Sequence, residues 1–320
     1  MTRAAAGPIL ILLLLAPALL AQRPSDPALL VPETAPPLDY APAASAVTLP
    51  AGTTMGATAS VAFDRNGHMF VLTRGTPAFF EFDGNGVFIR AFGERFTRAH
   101  GLRIDGDGNL WATDVGAHVV LKLNTQGEVL LTLGTRGEAG EWNEAASSRK
   151  LNQPNDIAIA ANGDVYIAQG HTPGDRGDAR VLKFDRTGRF ITQWGGKGTA
   201  PGQFQVAHGI AIDAKGLLWV SDRENQRIQV FDANGTFVRE MKYAGLPCGV
   251  DIGRDAVFMV NGFAAQVVKL DLNGKVLAAM GRPGKGPGEF GEAHFIAVSP
   301  KGELFVADSV NGALMRLVKQ

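Results

Sequence analysis

The chain has 320 residues, with 31 basic and 31 acidic side chains and no basic run, which argues against nucleic acid as a partner. A single cysteine, Cys248, excludes an intramolecular disulfide. Forty glycines suit an all-β chain with many turns, in one large domain or two small ones.

Residues 1–21 read as an export signal. Arg3 supplies a positive start, and the apolar stretch from Ile9 to about Ala21 is too short to span a bilayer comfortably. The protein is therefore expected to be exported, periplasmic or secreted, with no stable membrane span once the signal is removed. An uncleaved anchor is the alternative. Residues 22–45 are rich in Pro and Ala and read as a linker. The folded unit is expected over 46–320.

Within that unit the chain repeats. Aligning Val61, Leu102, Ile157, Ile210, Val250 and Ile296 gives gaps of 41, 55, 53, 40 and 46 residues. Such a period, with short strands and no helical pattern, points to propeller blades. Each unit opens on an inner strand (61–63, 102–104, 157–160, 210–212, 250–252, 296–298) and turns at a glycine. A second strand follows (69–72, 110–113, 165–168, 217–221, 257–261, 304–307). Third strands are expected at 118–123, 180–184, 227–231, 266–270 and 313–317, and fourth strands as at 129–133 and 190–194. Apolar alternation between turn signals supports strands over helices. The spacing predicts an all-β fold, a six-bladed β-propeller. The last unit has no fourth strand after Leu317, so 46–49 is expected to supply it and close the ring.

Three of the six histidines share one place in the repeat: Ala99-His100, Ala207-His208 and Ala293-His294. The equivalents around the ring are Ala59, His100, Asn155, His208, Cys248 and His294, so histidine occupies every second blade. Alternate blades of such a ring lie about 120° apart, so the three imidazoles are expected to meet on the axis. There they would hold zinc, with ring nitrogens roughly 3.3 Å apart and a fourth position open along the channel. Three unrelated polar residues at a channel mouth are the plainer alternative. His68, in a glycine turn, and His118, at the start of a third strand, are expected at the surface.

The repeat resembles the NHL repeat, most clearly in VSDRENQRIQVF at 220–231, with GGKGTAPGQF at 195–204 and GRPGKGPGEF at 281–290. The last two lack the Gly-x-x-x-x-Gly-Lys-Ser/Thr of a phosphate loop. Within NHL proteins the chain is similar to the peptidyl-α-hydroxyglycine α-amidating lyase family. The likeness is carried by HGLRIDGDGNLWATDVGAHVVLKL at 100–123, ITQWG at 191–195, PGQF at 201–204, His208 and DREN at 222–225, and extends over about 55–318. It implies cleavage of the C–N bond of a carbinolamide to a peptide amide and glyoxylate. It also implies catalytic zinc on His100, His208 and His294, active-site arginines at Arg74 and Arg223, and calcium held partly by the carbonyls of Val61 and Leu102.

The chain departs from the family at several places. His171 stands where the family has the tyrosine proposed as base. Phe295 stands where an aspartate binds calcium, which puts calcium in question, and Glu292 replaces a methionine. His171, titrating near neutrality, is then expected to take the hydroxyl proton, and Arg74 or Arg223 to hold a carboxylate. The expected partner is a small-molecule or peptide substrate bearing a carboxylate, and the expected state is a monomer. Two other readings stay open: a non-catalytic NHL propeller that binds a peptide or protein, and a metal-dependent hydrolase or lactonase.

Overall fold

The computed structural model describes residues 24–172 and 178–320. The export signal expected at 1–21 and most of the loop after His171 lie outside the described residues. Among the described residues, no helix is long and apolar enough to cross a membrane.

Six four-stranded antiparallel sheets form the blades. Their inner strands are Thr58–Phe63, Ala99–Ile104, Pro154–Ile159, Ala207–Ile212, Pro247–Ile252 and Ala293–Val298. Each inner strand packs on the next and the sixth packs on the first, so the fold is a six-bladed β-propeller.

The turns between first and second strands have a local cause. The Asp105 carboxylate accepts from the backbone N–H of Asp107 and Asn109 at 3.0 and 2.9 Å, while Gly108 takes a φ of +84°. Asp213, with the N–H groups of Lys215 and Leu217 and with Gly216 at +78°, repeats the device. An Asp that bonds its own backbone two residues on, followed by a glycine free to take positive φ, makes a tight hairpin from local sequence alone.

The second strands bring the core. Phe70, Trp111, Tyr166, Trp219, Phe258 and Phe305 occupy one equivalent position, one per blade, and all are buried. In register opposite them on the inner strands stand Ala62, Arg103, Ala158, Ala211, Asp251 and Ala297. Large faces small in four blades, which lets neighbouring sheets close on each other near the axis. Burying such an aromatic contributes about 1.5–3 kcal/mol. The apolar clusters each lie between two successive blades, and one joins blade 6 to blade 1.

The fourth strand of blade 6 differs from the expectation. It is Tyr40–Pro42, paired antiparallel with Ala313–Lys319, and not 46–49. Thr48 makes a parallel bridge to Val87 of blade 1 instead, while Ala46, Val47 and Leu49 pack on the core between blades 6 and 1. The apolar run at 46–49 was therefore a packing signal and not an edge strand. The segment read as a linker is also fixed in part. Leu38 is buried between blades 5 and 6, and its N–H donates to the Ala279 carbonyl at 3.0 Å.

Candidate metal centre on the propeller axis

Every inner strand slips register at the same place, between Thr58 and Ser60, Ala99 and Leu102, Pro154 and Asp156, Ala207 and Gly209, Pro247 and Val250, and Ala293 and Phe295. A bulge re-aims the side chain it carries. The bulged residues are the six ring equivalents, which is how His100, His208 and His294 come to face one another.

In the three histidine blades a buried Asp at the end of the second strand braces the bulge. Asp114 accepts from the N–H groups of Thr97 and Arg98, both at 2.8 Å. Asp222 accepts from Gln205 and Val206 at 2.9 and 3.4 Å, and Asp308 from Gly291 and Glu292 at 2.8 and 3.2 Å. The equivalents in blades 1, 3 and 5 are Thr73, Gln169 and Asn261. Histidine and bracing aspartate therefore alternate together. This signal was present in the sequence and was missed there.

The three rings are brought together, with centroids 4.8 Å apart for His100–His208, 4.5 Å for His100–His294 and 5.4 Å for His208–His294. His171 joins them, 4.8 Å from His100 and 5.6 Å from His208. One ligand atom each from His100, His171 and His208 lie within 4.8 Å of one another, and His294 adjoins through His100. Gly170 aims His171 inward: its φ is +96°, and a Cβ there would meet the Ala179 Cα at 2.6 Å.

The neighbours of these rings decide their tautomers. Nδ1 of His100 lies 2.8 Å from the Asn155 carbonyl oxygen, and Nδ1 of His294 2.9 Å from that of Ala59. A carbonyl only accepts, so both Nδ1 atoms carry hydrogen and both neutral rings present a lone pair at Nε2. Those two Nε2 atoms face each other at 3.1 Å. Nδ1 of His171 lies 2.8 Å from Asn155 Oδ1, and the Asn155 amide donates to the Ala207 carbonyl at 2.8 Å, which orients it. His171 Nε2 is therefore unprotonated as well. His208 is fully buried, and neither of its nitrogens makes a well-aligned hydrogen bond among the described residues; the Cys248 backbone gives it only a weak polar contact. It stacks on Phe295, with centroids 5.6 Å apart and planes 20° apart.

Burial pushes all four imidazoles well below the usual histidine range, and their mutual repulsion and nearby arginines push the same way. His171 is thus neutral at rest and less basic than the titration near neutrality expected of it. Cys248, the ring equivalent in blade 5, is pushed up to about 12 by burial and remains a thiol.

The expected arginines flank this cluster. Arg74 and Arg223 follow the second strands of blades 1 and 4, half a ring apart. Arg74 Nε donates to the Ala99 carbonyl at 3.3 Å, and its Nη atoms have no hydrogen-bond partner among the described residues. Arg223 is held by Glu224, with Nε and Nη2 at 2.9 and 2.6 Å from one carboxylate oxygen. Burial lowers the Arg74 pKa, while at Arg223 the lowering by burial is outweighed by Glu224. Arg98, two residues before His100, was not singled out from sequence. Burial and the nearby Arg74 lower it to about 10, and its side chain has no partner among the described residues. Glu292, two residues before His294, is buried and accepts from the Ser309 hydroxyl.

The channel is not open on both sides. Phe295 is fully buried, with its ring centroid 4.7 Å from His294 and 5.3 Å from His100. It covers one side of the cluster. A cleft of about 570 Å³ lies among the far ends of the inner strands of blades 1 to 3, lined by Asp105, Trp111 and Lys122 among others, and none of the imidazoles lines it.

Converging Nε2 lone pairs, an orphaned buried imidazole and Nδ1–H groups fixed on carbonyls fit a borderline divalent ion bound by nitrogen. The implied calcium set does not fit. The Leu102 carbonyl accepts from the cationic Arg103 Nη1 at 2.9 Å, and Phe295 brings no oxygen.

Sequence comparison agrees with this architecture. The NHL repeat family matches residues 204–231. A peptidyl-glycine alpha-amidating monooxygenase of Xenopus laevis is 38% identical over 189 residues, 56% of this chain and 19% of that protein. A probable peptidyl-alpha-hydroxyglycine alpha-amidating lyase of Caenorhabditis elegans is 33% identical over 165 residues, 50% of this chain and 44% of that protein. NHL repeat-containing protein 3 of Mus musculus is 34% identical over 188 residues, 55% of this chain and 52% of that protein. The chain thus spans between about a fifth and about half of the length of these relatives. Among solved structures, a gluconolactonase from Xanthomonas campestris superposes with a TM-score of 0.63 at 15% identity, covering 89% of this chain and 99% of that one, which speaks to the fold alone. The chain is a six-bladed propeller that carries an NHL repeat at 204–231 and is similar over about half its length to a hydroxyglycine amidating lyase.

Proposed function

We propose that the protein is a zinc-dependent carbon–nitrogen lyase that splits a carbinolamide, such as a peptidyl-α-hydroxyglycine, into an amide and glyoxylate. One observation supports this above the others. The Nε2 atoms of His100 and His294 stand 3.1 Å apart with both Nδ1 atoms already donating to carbonyls, so two lone pairs repel unless a cation lies between the rings.

His100, His208 and His294 would hold the zinc, and His171 stands beside them. When bound, zinc supplies a Lewis acid that lowers the pKa of a hydroxyl oxygen. The remaining chemistry belongs to the chain. Arg74 offers free Nη donors to the substrate carboxylate as a planar pair. Phe295 keeps water from one side of the cluster. His171 presents an unprotonated Nε2, its Nδ1 being held by Asn155. That nitrogen takes the hydroxyl proton; the C=O of glyoxylate forms as the C–N bond breaks, and the proton passes on to the departing amide nitrogen. Atoms and charge balance without a further reactant.

The test is elemental analysis of purified protein combined with glyoxylate release from a peptidyl-hydroxyglycine, with a lactone as the competing substrate. One zinc per chain with glyoxylate release supports the reading, and His208→Ala should abolish release while leaving the β-sheet signal intact. Absence of any transition metal, lactone turnover alone, or full activity of His208→Ala would overturn it.

A further inference from the structure

On the strands below the imidazoles lies a second buried polar cluster, made from the ring position that is alanine in four of the six blades. In blade 2 that residue is Arg103, and in blade 5, half a ring away, it is Asp251. The Arg103 side chain is 18% exposed and Asp156 fully buried, and the guanidinium reaches three successive inner strands. Nη1 donates to the Leu102 carbonyl of blade 2 at 2.9 Å. Nη2 donates to the Asp156 carboxylate of blade 3 at 2.7 Å and to the Ile210 carbonyl of blade 4 at 3.3 Å. Leu102 and Ile210 are equivalents in the repeat. Asp156 also accepts from the Ile210 N–H at 3.0 Å, and its other oxygen, Oδ1, is buried with no partner among the described residues. Asp251 accepts from the Val298 N–H at 2.8 Å and feels the charge of Arg103.

Two equivalent backbone carbonyls and two carboxylates are the donors a hard divalent cation takes. A guanidinium fills the same electrostatic role with fixed N–H geometry and no ion to lose. We infer that Arg103 is a built-in cation that takes the place of calcium in this channel, so that the protein binds no calcium there and its fold does not depend on it.

Calcium is the probe, read by melting and calorimetry and not by turnover, so the outcome is independent of whether the protein is a lyase. The purified holoenzyme should contain no stoichiometric calcium, give no heat on titration with calcium chloride, and melt at the same temperature in millimolar calcium as in millimolar magnesium. Arg103→Met removes the guanidinium and leaves the Asp156 carboxylate and the Leu102 and Ile210 carbonyls without their cationic partner. It should melt lower, and calcium but not magnesium should raise its melting temperature again by at least a few degrees. If that variant does not fold, Arg103→Lys, which keeps a charge but loses the fork, should melt between the two and gain less from calcium. One calcium per chain in the unaltered protein, or a calcium-stabilised unaltered protein, would overturn the inference. So would an Arg103 variant that folds and shows no response to calcium.

Discussion

Asn155 holds two of the four imidazoles at once. Its backbone carbonyl accepts from His100 Nδ1 and its side-chain oxygen accepts from His171 Nδ1, both at 2.8 Å. The two contacts separate by mutation, because only one uses the side chain. Asn155→Leu keeps the carbonyl under His100 and removes the acceptor of His171, which frees that ring to turn or to change tautomer. The variant should retain its metal and lose about 10–100-fold in turnover, the usual range for a residue that orients a site histidine. Metal content by elemental analysis and kcat for glyoxylate release check both halves. An unchanged kcat would remove His171 from proton transfer.

The glycines after the first two histidines are spacers between blades. A Cβ on Gly101 would meet the Asn155 carbonyl oxygen at 2.7 Å and the Asp156 Cα at 2.9 Å, and one on Gly209 would meet the Cys248 carbonyl oxygen at 2.4 Å. These are backbone atoms of the next blade and cannot swing aside as a side chain would. Gly101→Ala and Gly209→Ala should each destabilise by about 1–3 kcal/mol, as overpacking does. Gly101→Ala should also weaken metal binding, since the displaced carbonyl is the one that orients His100. Denaturant melts and a competitive chelator titration measure the two effects.

The metal-free protein should lose stability with acid in a defined window. His100, His208 and His294 are held by burial well below their ordinary value of 6.5. Between that folded-state value and 6.5, the unfolded chain binds protons that the folded chain refuses. Stability is then present above 6.5 and falls as pH drops toward the folded-state values, by about 1.4 kcal/mol per pH unit for each such ring. Denaturant midpoints of chelator-treated protein at pH 8, 7, 6 and 5 should be level at first and then decline. Bound metal should extend the plateau to lower pH, because protons must displace it before they can act. A midpoint that rises on acidification would contradict the burial of these rings.

Much of the ring was legible because it repeats. His100, His208 and His294 stood out by falling at one offset in every second unit, and the same alternation in Asp114, Asp222 and Asp308 could have been read beside them. What no repeat could show was pairwise. That Asn155 turns its amide to His171, that Glu224 ties up Arg223 while Arg98 stays unpaired, and that Arg103 reaches two blades beyond its own are each contacts between inequivalent positions. Tyr40–Pro42 escaped notice for another reason. Pro36 and Pro37 before it and Pro42 within it look like linker, yet an edge strand tolerates proline because its outward N–H has no ladder to join.

Phe295 carries the last prediction. His208 makes no well-aligned hydrogen bond among the described residues, and its ring lies nearly parallel to that of Phe295, with 20° between planes. Packing against Phe295, beside a backbone contact from Cys248 too poorly aligned to count as a full hydrogen bond, sets its orientation in the metal-free site. Phe295→Ala would open a cavity beneath three imidazoles and admit water to the covered side of the cluster. The variant should lose about 3–5 kcal/mol of stability, the usual cost of deleting a buried phenylalanine ring. It should also bind metal more weakly, because His208 must then be ordered at the moment of binding. Phe295→Leu, which keeps most of the volume without the flat face, should recover most of the stability and less of the metal affinity. If both variants lost stability alone, with metal affinity unchanged, Phe295 would be filling space without orienting His208.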